Sequence, residues 1–338
     1  MASFPKVSVV IVCTNELKEI KECIPPLLEQ SYSNYEVLLM DNGSTDGSPE
    51  YVEANFGGVK VIRNRANLGY AGANNRGFQY ASGEYIAVLN PDTVVERDWL
   101  KELVKAMEEN PSVGLATSKI CHLKDKSRIN TCGNDVHFTG LAFCRGLDLP
   151  RGSFSVQEYV PAISGCAFVI RKSVLERVGG FDESFFMYLE DTDLSLRARL
   201  AGFDCLYVPS SVVYHDYDFN PSQRKFYHLE RNRLLLLLRN YRWRTLALML
   251  PALIITDLLT WGYALISGGR FLSGKARAYL WVLSNFSEIM DKRGSIQMLR
   301  KEDDRDLLKS TSFRIPFEQL TSVALFARVL GAIINPIM

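Results

Sequence analysis

With 338 residues, a net charge of +1, and 47% hydrophobic against 23% charged residues, the chain can bury one large core or two smaller ones; it has no bulk charge to draw it to nucleic acid. Seven cysteines, odd in number and never spaced as CxxC, speak against a disulfide framework and for a reducing compartment. Cys121, His122, Cys132, His137 and Cys144 fit no common zinc spacing, and the opening "MASFPKVSVVIV" runs into a strand rather than forming a leader.

The first predicted strand is "KVSVVIVC" (6–13), followed by a helix near 16–31 that Pro25-Pro26 should break or restart. "YEVLLMD" (35–41) is the second strand. A helix then starts in "DGSPEYVEANF", with Ser48 expected as its cap and Pro49 in its first turn. "VKVIRN" (59–64), a helix over 69–81 and "YIAVLN" (85–90) complete a βαβαβαβ series, which predicts a mostly parallel sheet with helices on both faces. After a helix at 96–109, the strand-like runs "VGLATSKI", "CAFVIR" and "CLYVPSSVVYH" predict a mixed extension of that sheet.

Asp41 stands at the carboxyl end of the second strand, in "DNGSTDGS". That edge of an open parallel sheet is where nucleotides bind, and an acid there can accept from ribose hydroxyls or a base N–H; the same residues are also good turn formers. The turn after the first strand, "CTNELKEI", has no glycine to admit a pyrophosphate, so a dinucleotide-dependent hydride transfer is excluded. A metal can hold a diphosphate instead. Asp92 in "VLNPDT" can bind Mg²⁺ or Mn²⁺ if phosphate and water complete the shell, and His215 as a further ligand favours manganese. In "NRANLGYAGANNRG" (64–77), Asn67, Gly69, Gly72 and Asn74 would let a ligand approach N–H groups at a helix start; a loop with a cap is the simpler reading.

"FFMYLEDTDLSLRARLAGFDC" (185–205) places Glu190, Asp191 and Asp193 before an apolar helical repeat that Gly202 stops. Helix capping explains one or two of these acids. The preceding Phe185, Phe186, Met187 and Tyr188 would partly desolvate a carboxyl group, which makes it a candidate base.

These segments, together with "GCAFVIRKSVLERVGGFDESFFMYLED" and "VVYH", occur in the order found in glycosyltransferases of family two. The chain resembles the rhamnosyltransferase-like branch of that family over roughly residues 6–240. The resemblance implies a GT-A fold, a Rossmann-like mixed sheet flanked by helices, and an inverting transfer from a nucleotide-diphospho-sugar such as dTDP-rhamnose or a UDP-sugar. It implies that Thr14, Asn15, Glu16 and Asp41 line the nucleoside pocket with Asn67, Gly69 and Asn74 nearby. Asp92 would be the metal-binding acid and His215 would complete the Mn²⁺ or Mg²⁺ shell, while Asn90 stands where many members carry a first acid. Asp191 would deprotonate the acceptor hydroxyl, Glu190 would orient it, and Asp193 would keep the capping role. Gly165 would let the sugar approach the backbone, and Arg231 would reach the diphosphate or sit before a membrane-binding helix.

From Leu234 the composition changes, so residues 1–233 are expected as the catalytic domain and 234–338 as a helical, membrane-associated region. Residues 245–267 would span about 34 Å as a helix, enough to cross a bilayer. Asp257 in mid-segment, which costs about 2.5–3.5 kcal/mol on insertion, argues against crossing. So do Arg270, Lys275, Arg277, Lys292, Arg293, Arg300 and Lys301, which would be carried outward. In-plane helices on the cytoplasmic face of the cell membrane are preferred, with Tyr241, Trp243 and Trp261 suited to the interface. A soluble helical cap is the alternative. A second apolar stretch, "LTSVALFARVLGAIINPIM", closes the chain. The expected partners are a nucleotide-sugar donor, a lipid-linked or glycan acceptor and the membrane surface. Competing readings are an inactive nucleotide-sugar-binding scaffold, and a sugar-1-phosphate nucleotidyltransferase, which would need a glycine-rich basic loop absent here.

Overall fold

The computed structural model describes residues 5–217, 222–319, 331–332 and 334–336. Two compact units divide the chain: unit 1 is Met1–Asn134 with Cys144–Phe219, and unit 2 is Asp135–Phe143 with Asn220–Met338.

Unit 1 opens with β1 (Val7–Cys13), α1 (Leu17–Leu28), β2 (Tyr35–Asp41), α2 (Ser48–Asn55), β3 (Val59–Arg63), α3 (Gly69–Tyr80) and β4 (Tyr85–Leu89). Next come β5 (Thr93–Val95), α4 (Trp99–Glu109), β6 (Val113–His122), β7 (Ile129–Thr131) and β10 (Glu158–Tyr159), while the short pair β8 (Asn134–Val136) and β9 (Ala142–Cys144) carries the segment Asp135–Phe143 that belongs to unit 2. β11 (Ala167–Arg171), α5 (Lys172–Val178), α6 (Glu190–Leu200) and β12 (Asp204–His215) follow. The large sheet runs β10-β12-β6-β11-β4-β1-β2-β3, with β5 paired to β12 and β7 to β6. β1 is parallel to β2 and β4, β11 is antiparallel to β4 and β6, and β12 is parallel to β6. The carboxyl ends of β1, β2, β4, β6 and β12 therefore share one edge.

β1 is buried along nearly its whole length because helices cover both faces. Val7, Val9, Ile11 and Cys13 join Ile20, Ile24 and Leu27 of α1 and Leu100, Leu103 and Met107 of α4 in one core. Val10 points the other way, where Gly77 of α3 lets it in: a Cβ at Gly77 would lie 2.5 Å from Val10 Cγ1.

Two expectations need correction. Pro25 and Pro26 lie inside α1 without breaking it. The carbonyls they leave without donors belong to Lys21 and Glu22, which face solvent, while the buried stripe Ile20, Cys23, Ile24 and Leu27 continues unbroken. Ser48 is the first residue of α2 rather than its cap; Gly47 takes that place at φ 86°, and Asp46 Oδ1 accepts from the Ser48 N–H at 3.0 Å.

Unit 2 holds α7 (Gln223–Asn240), α8 (Trp243–Ile266), α9 (Gly269–Ser284), α10 (Phe286–Met298) and α11 (Asp304–Leu308). The composition change at Leu234 falls inside α7. Buried charges tie α7, α8 and α9 together. Lys275 Nζ lies 2.5 Å from Glu230 Oε2 and 3.0 Å from Asp257 Oδ1, and Arg233 lies 3.2 Å from the same Asp257 oxygen. Asp257 is thus neutralised within the bundle, so its insertion penalty no longer counts against crossing. Tyr241 is buried and presents nothing to an interface, Trp261 is half-buried, and Trp243 is exposed. The second apolar stretch, from Leu320, lies largely outside the described residues.

Candidate active site

The turns after β1 and β2 brace each other at the shared edge. Asn15, in the left-handed region at φ 59°, accepts from the Thr45 N–H at 2.7 Å, and its own N–H donates to Ser44 Oγ at 3.0 Å. The Thr14 N–H donates to Glu16 Oε2 at 2.8 Å, and buried Asp41 accepts from the Ser44 N–H at 2.8 Å. Thr14, Asn15, Glu16 and Asp41 are therefore held together by the two turns. Burial pushes the Glu16 carboxyl up to about 7 against the Thr14 bond, with Asp92, Glu19 and Asp46 adding to the rise.

Beside them, β4 ends at Leu89 and the chain turns through Asn90-Pro91-Asp92. The Asn90 N–H donates to the Cys166 carbonyl at 2.9 Å, and Thr93 Oγ1 donates to the Asn90 carbonyl at 2.6 Å. β5 pairs Thr93 with His215, and this register brings Asp92 Oδ2 to 3.2 Å from His215 Nε2. Asp92 Oδ1 is buried with no hydrogen-bond partner. His215 Nδ1 is 3.0 Å from Asn130 Oδ1, a contact that fixes the ring and leaves Nε2 toward Asp92. Burial disfavours a charged ring there, yet Cys166 and the Asp92 carboxylate hold the His215 pKa well above the ordinary histidine value. The orphaned Asp92 oxygen suits a divalent cation that would displace the proton His215 otherwise holds against Asp92, with its remaining positions from phosphate and water.

Asp191 lies at the start of α6. Its Oδ2 accepts from the Gly165 N–H at 2.8 Å and Asn134 Nδ2 at 2.9 Å; its Oδ1 accepts from the Thr192 N–H at 2.6 Å and Thr192 Oγ1 at 3.2 Å. Tyr70 Oη donates to the Gly165 carbonyl at 2.6 Å, joining α3 to the same group. Burial raises the Asp191 pKa above the usual aspartate range, against the four bonds that favour its charged form. Glu190 is buried with Oε2 unpartnered, and burial with the neighbouring Asp191 pushes its carboxyl up to about 8.

None of the three acids caps α6. Leu189 occupies the cap position in the left-handed region, and no side-chain bond closes the helix start. Asp193, expected as a cap, is instead buried and paired at 2.7 Å with Arg197 Nε; that guanidinium also donates to the Val178 carbonyl at 2.6 Å and the Gly180 carbonyl at 2.8 Å. Asp193→Asn should therefore cost about 3–5 kcal/mol of stability, because it leaves a buried guanidinium without its counter-charge. Denaturant midpoints measure this; a loss below about 1 kcal/mol, typical of a cap, would restore the capping assignment.

The start of α3 also differs from expectation. The Leu68 N–H donates to Asn42 Oδ1, the Gly69 N–H to Asn67 Oδ1 at 2.8 Å, and the Tyr70 and Ala71 N–H groups to the Phe186 carbonyl. The first donors of α3 are thus satisfied within the protein, and Gly69 makes room for Phe186 rather than for a ligand. Asn74 is buried, donates to the Tyr70 carbonyl at 3.0 Å and keeps Oδ1 unpartnered. Arg231 is on α7 in unit 2, its guanidinium 4.8 Å from the Trp281 ring centroid and 5.4 Å from that of Tyr227.

Residues 8–179 match glycosyl transferase family 2, more than half of the 338-residue chain. The chain belongs to that family. Over 202 residues this glycosyl transferase family 2 member is 32% identical to N-acetylglucosaminyl-diphospho-decaprenol L-rhamnosyltransferase of Mycobacterium tuberculosis, covering 53% of the chain and 66% of the relative. The chain spans less than two thirds of the lengths of the curated relatives it matches: 25% of one, 49% of another. Among solved structures, GalNAc-T7 with UDP, GalNAc and Mn²⁺ superposes with TM-score 0.59 at 20% identity, covering 71% of this chain and 48% of that one. A mannosyltransferase of Pyrobaculum calidifontis with GDP-Man and Mn²⁺ gives 0.54 at 18% identity, covering 98% and 88%. The shared fold is the mostly parallel mixed sheet flanked by helices of the GT-A type.

Sequence reasoning missed Asn130, Asn134 and Tyr70. Asn130 and Asn134 sit on three-residue strands with no periodic signal, and Tyr70 reads as an ordinary helical position.

Proposed function

We propose that this family member transfers a sugar, with inversion, from a nucleotide-diphospho-sugar to a lipid-linked or polysaccharide acceptor. The observation that supports the reading is that Asp41 at the end of β2, the Asp92–His215 pair and the Asp191–Gly165 contact put three carboxylates on separate segments of unit 1. Asp41, Thr14, Asn15 and Glu16 would bind the nucleoside with Asn67 and Asn74 nearby, and Asn90 and Gly165 would lie beside the sugar. Asp92 and His215 would hold Mn²⁺ or Mg²⁺, which when bound neutralises charge on the departing diphosphate. Two structural neighbours in complex with Mn²⁺ support this choice. Asp191 would take the proton of the attacking acceptor hydroxyl, Oδ1 being the oxygen whose longer contact, from the Thr192 hydroxyl, is the one to yield. Glu190 would orient the hydroxyl.

The rhamnosyltransferase relative supports dTDP-rhamnose as donor and a lipid-linked acceptor; a UDP-sugar is the other donor class. Residues 234–338 would then hold the enzyme at the cytoplasmic face of the cell membrane, with residues 1–233 carrying the chemistry. Screening dTDP-, UDP- and GDP-sugars for metal-dependent donor hydrolysis tests this, with turnover of one class expected. One observation favours a scaffold instead: Asp191 already accepts four hydrogen bonds, which fill a carboxylate's capacity. Calorimetric donor binding without turnover of any class would select that reading.

A further inference from the structure

α8 is 24 residues long with a mean hydropathy of 1.6 over its most apolar window, and only 17% of that window is buried. Its inner side is fixed: Leu246, Met249, Thr256 and Ala264 are buried, and Asp257 is held by Arg233 and Lys275. Its outer side carries Leu250, Ile254, Leu258 and Leu265, exposed by 54%, 51%, 66% and 68%. Steps of four, four and seven put these on one face of a helix about 36 Å long. Four large aliphatic side chains in line form a continuous apolar surface, which a water-facing helix does not need.

The exposed charges that α8 and α9 themselves carry have one sign, and Asp303 beside the start of α8 is paired with Arg242. Between Trp243 and Ser287 the only acid is Asp257, already ion-paired, whereas Arg244, Arg270 and Arg277 are exposed. An exposed tryptophan, Trp243, stands at the start of α8. Aliphatic stripe, flanking arginines and terminal aromatic are the features of a helix lying in a bilayer surface among anionic headgroups. A second soluble partner would meet the stripe equally well, but the exposed Arg244, Arg270 and Arg277 of α8 and α9 select a negatively charged occupant.

We propose that the outward face of α8 docks on an anionic lipid bilayer, with Leu250, Ile254, Leu258 and Leu265 in the acyl boundary and Arg244, Arg270 and Arg277 among the headgroups. The proposal rests on the membrane location given above and names the surface that produces it. The full chain is floated with vesicles of phosphatidylcholine alone or with about one third phosphatidylglycerol. Wild type should float with the anionic vesicles. L250Q/I254Q/L258Q should lower its partition by about tenfold or more, and R244E/R270E/R277E should remove the preference for anionic lipid. All six positions are exposed, and unchanged thermal unfolding shows that the variants fold. If the triple glutamine variant floats like wild type, α8 is not the surface and this inference fails while the membrane location stands. If wild type stays with neither vesicle, both fail. If wild type instead forms a dimer in light scattering that the glutamine variant abolishes, the face belongs to a second copy and the inference is overturned.

Discussion

Asp191→Asn should lower the acceptor-dependent rate by roughly 10²–10⁴. The amide keeps the shape of the side chain and can still accept from Gly165 and Asn134 through its oxygen, but it cannot take a proton. Donor affinity should barely move, because Asp41 and the Asp92–His215 pair lie on other elements. The wild-type rate should fall with pH at a point above the ordinary aspartate range, since burial lifts this group. Below that point Asp191 is protonated and inactive as a base, and the Asn variant should lose this limb of the profile. Steady-state kinetics across pH with both substrates measures these effects. Near-wild-type turnover of Asp191→Asn together with a large loss in Glu190→Gln would move the base to Glu190, the neighbour with an unpartnered oxygen.

Asp92→Ala should cost about 10²-fold or more in turnover and should remove Mn²⁺ binding in calorimetry or electron paramagnetic resonance. The substitution deletes the orphaned Oδ1 and the partner of His215 Nε2 together. Chelation of the wild type with EDTA should abolish activity, and added Mn²⁺ or Mg²⁺ should restore it. Full activity in chelator would show that the pair serves another purpose. Unchanged Mn²⁺ binding by the alanine variant would place the cation elsewhere.

The strands were legible because their apolar runs are continuous and rich in β-branched residues: β1, β2 and β4 begin and end within a residue or so of expectation. Local rules failed where tertiary packing overrode them. Pro25-Pro26 read as a break because the missing donors look costly, but that cost falls on a solvated face while the core stripe of α1 passes through. Asp193 read as a cap because it stands in the first turn of a helix, yet its spacing of four from Arg197 was a visible sign of an ion pair. At the site, Asp92, Asp191 and His215 could be picked out by chemistry and strand-end position. Asn130 and Asn134 could not, since only the register of short, non-periodic strands brings them to His215 and Asp191.

Gly69 and Phe186 bind two distant segments into a single unit of inheritance. A Cβ at Gly69 would stand 2.6 Å from the Phe186 ring and 2.8 Å from its carbonyl oxygen, and Gly69 itself sits at φ 73°. Phe186, Tyr188 and Leu189 in turn all adopt positive φ, a conformation costly for side chains of their size unless the surroundings enforce it. The enforcing contacts include the Tyr70 and Ala71 N–H groups on the Phe186 carbonyl. Neither segment can drift alone: a side chain gained at 69 ejects the aromatic turn, and a turn relaxed to ordinary dihedrals strips α3 of the acceptor at its first residues. Across descendants of this sequence the two should be exchanged together or not at all, so that transplanting "NLGYAGANN" into a relative demands the matching "SFFMYLED" with it.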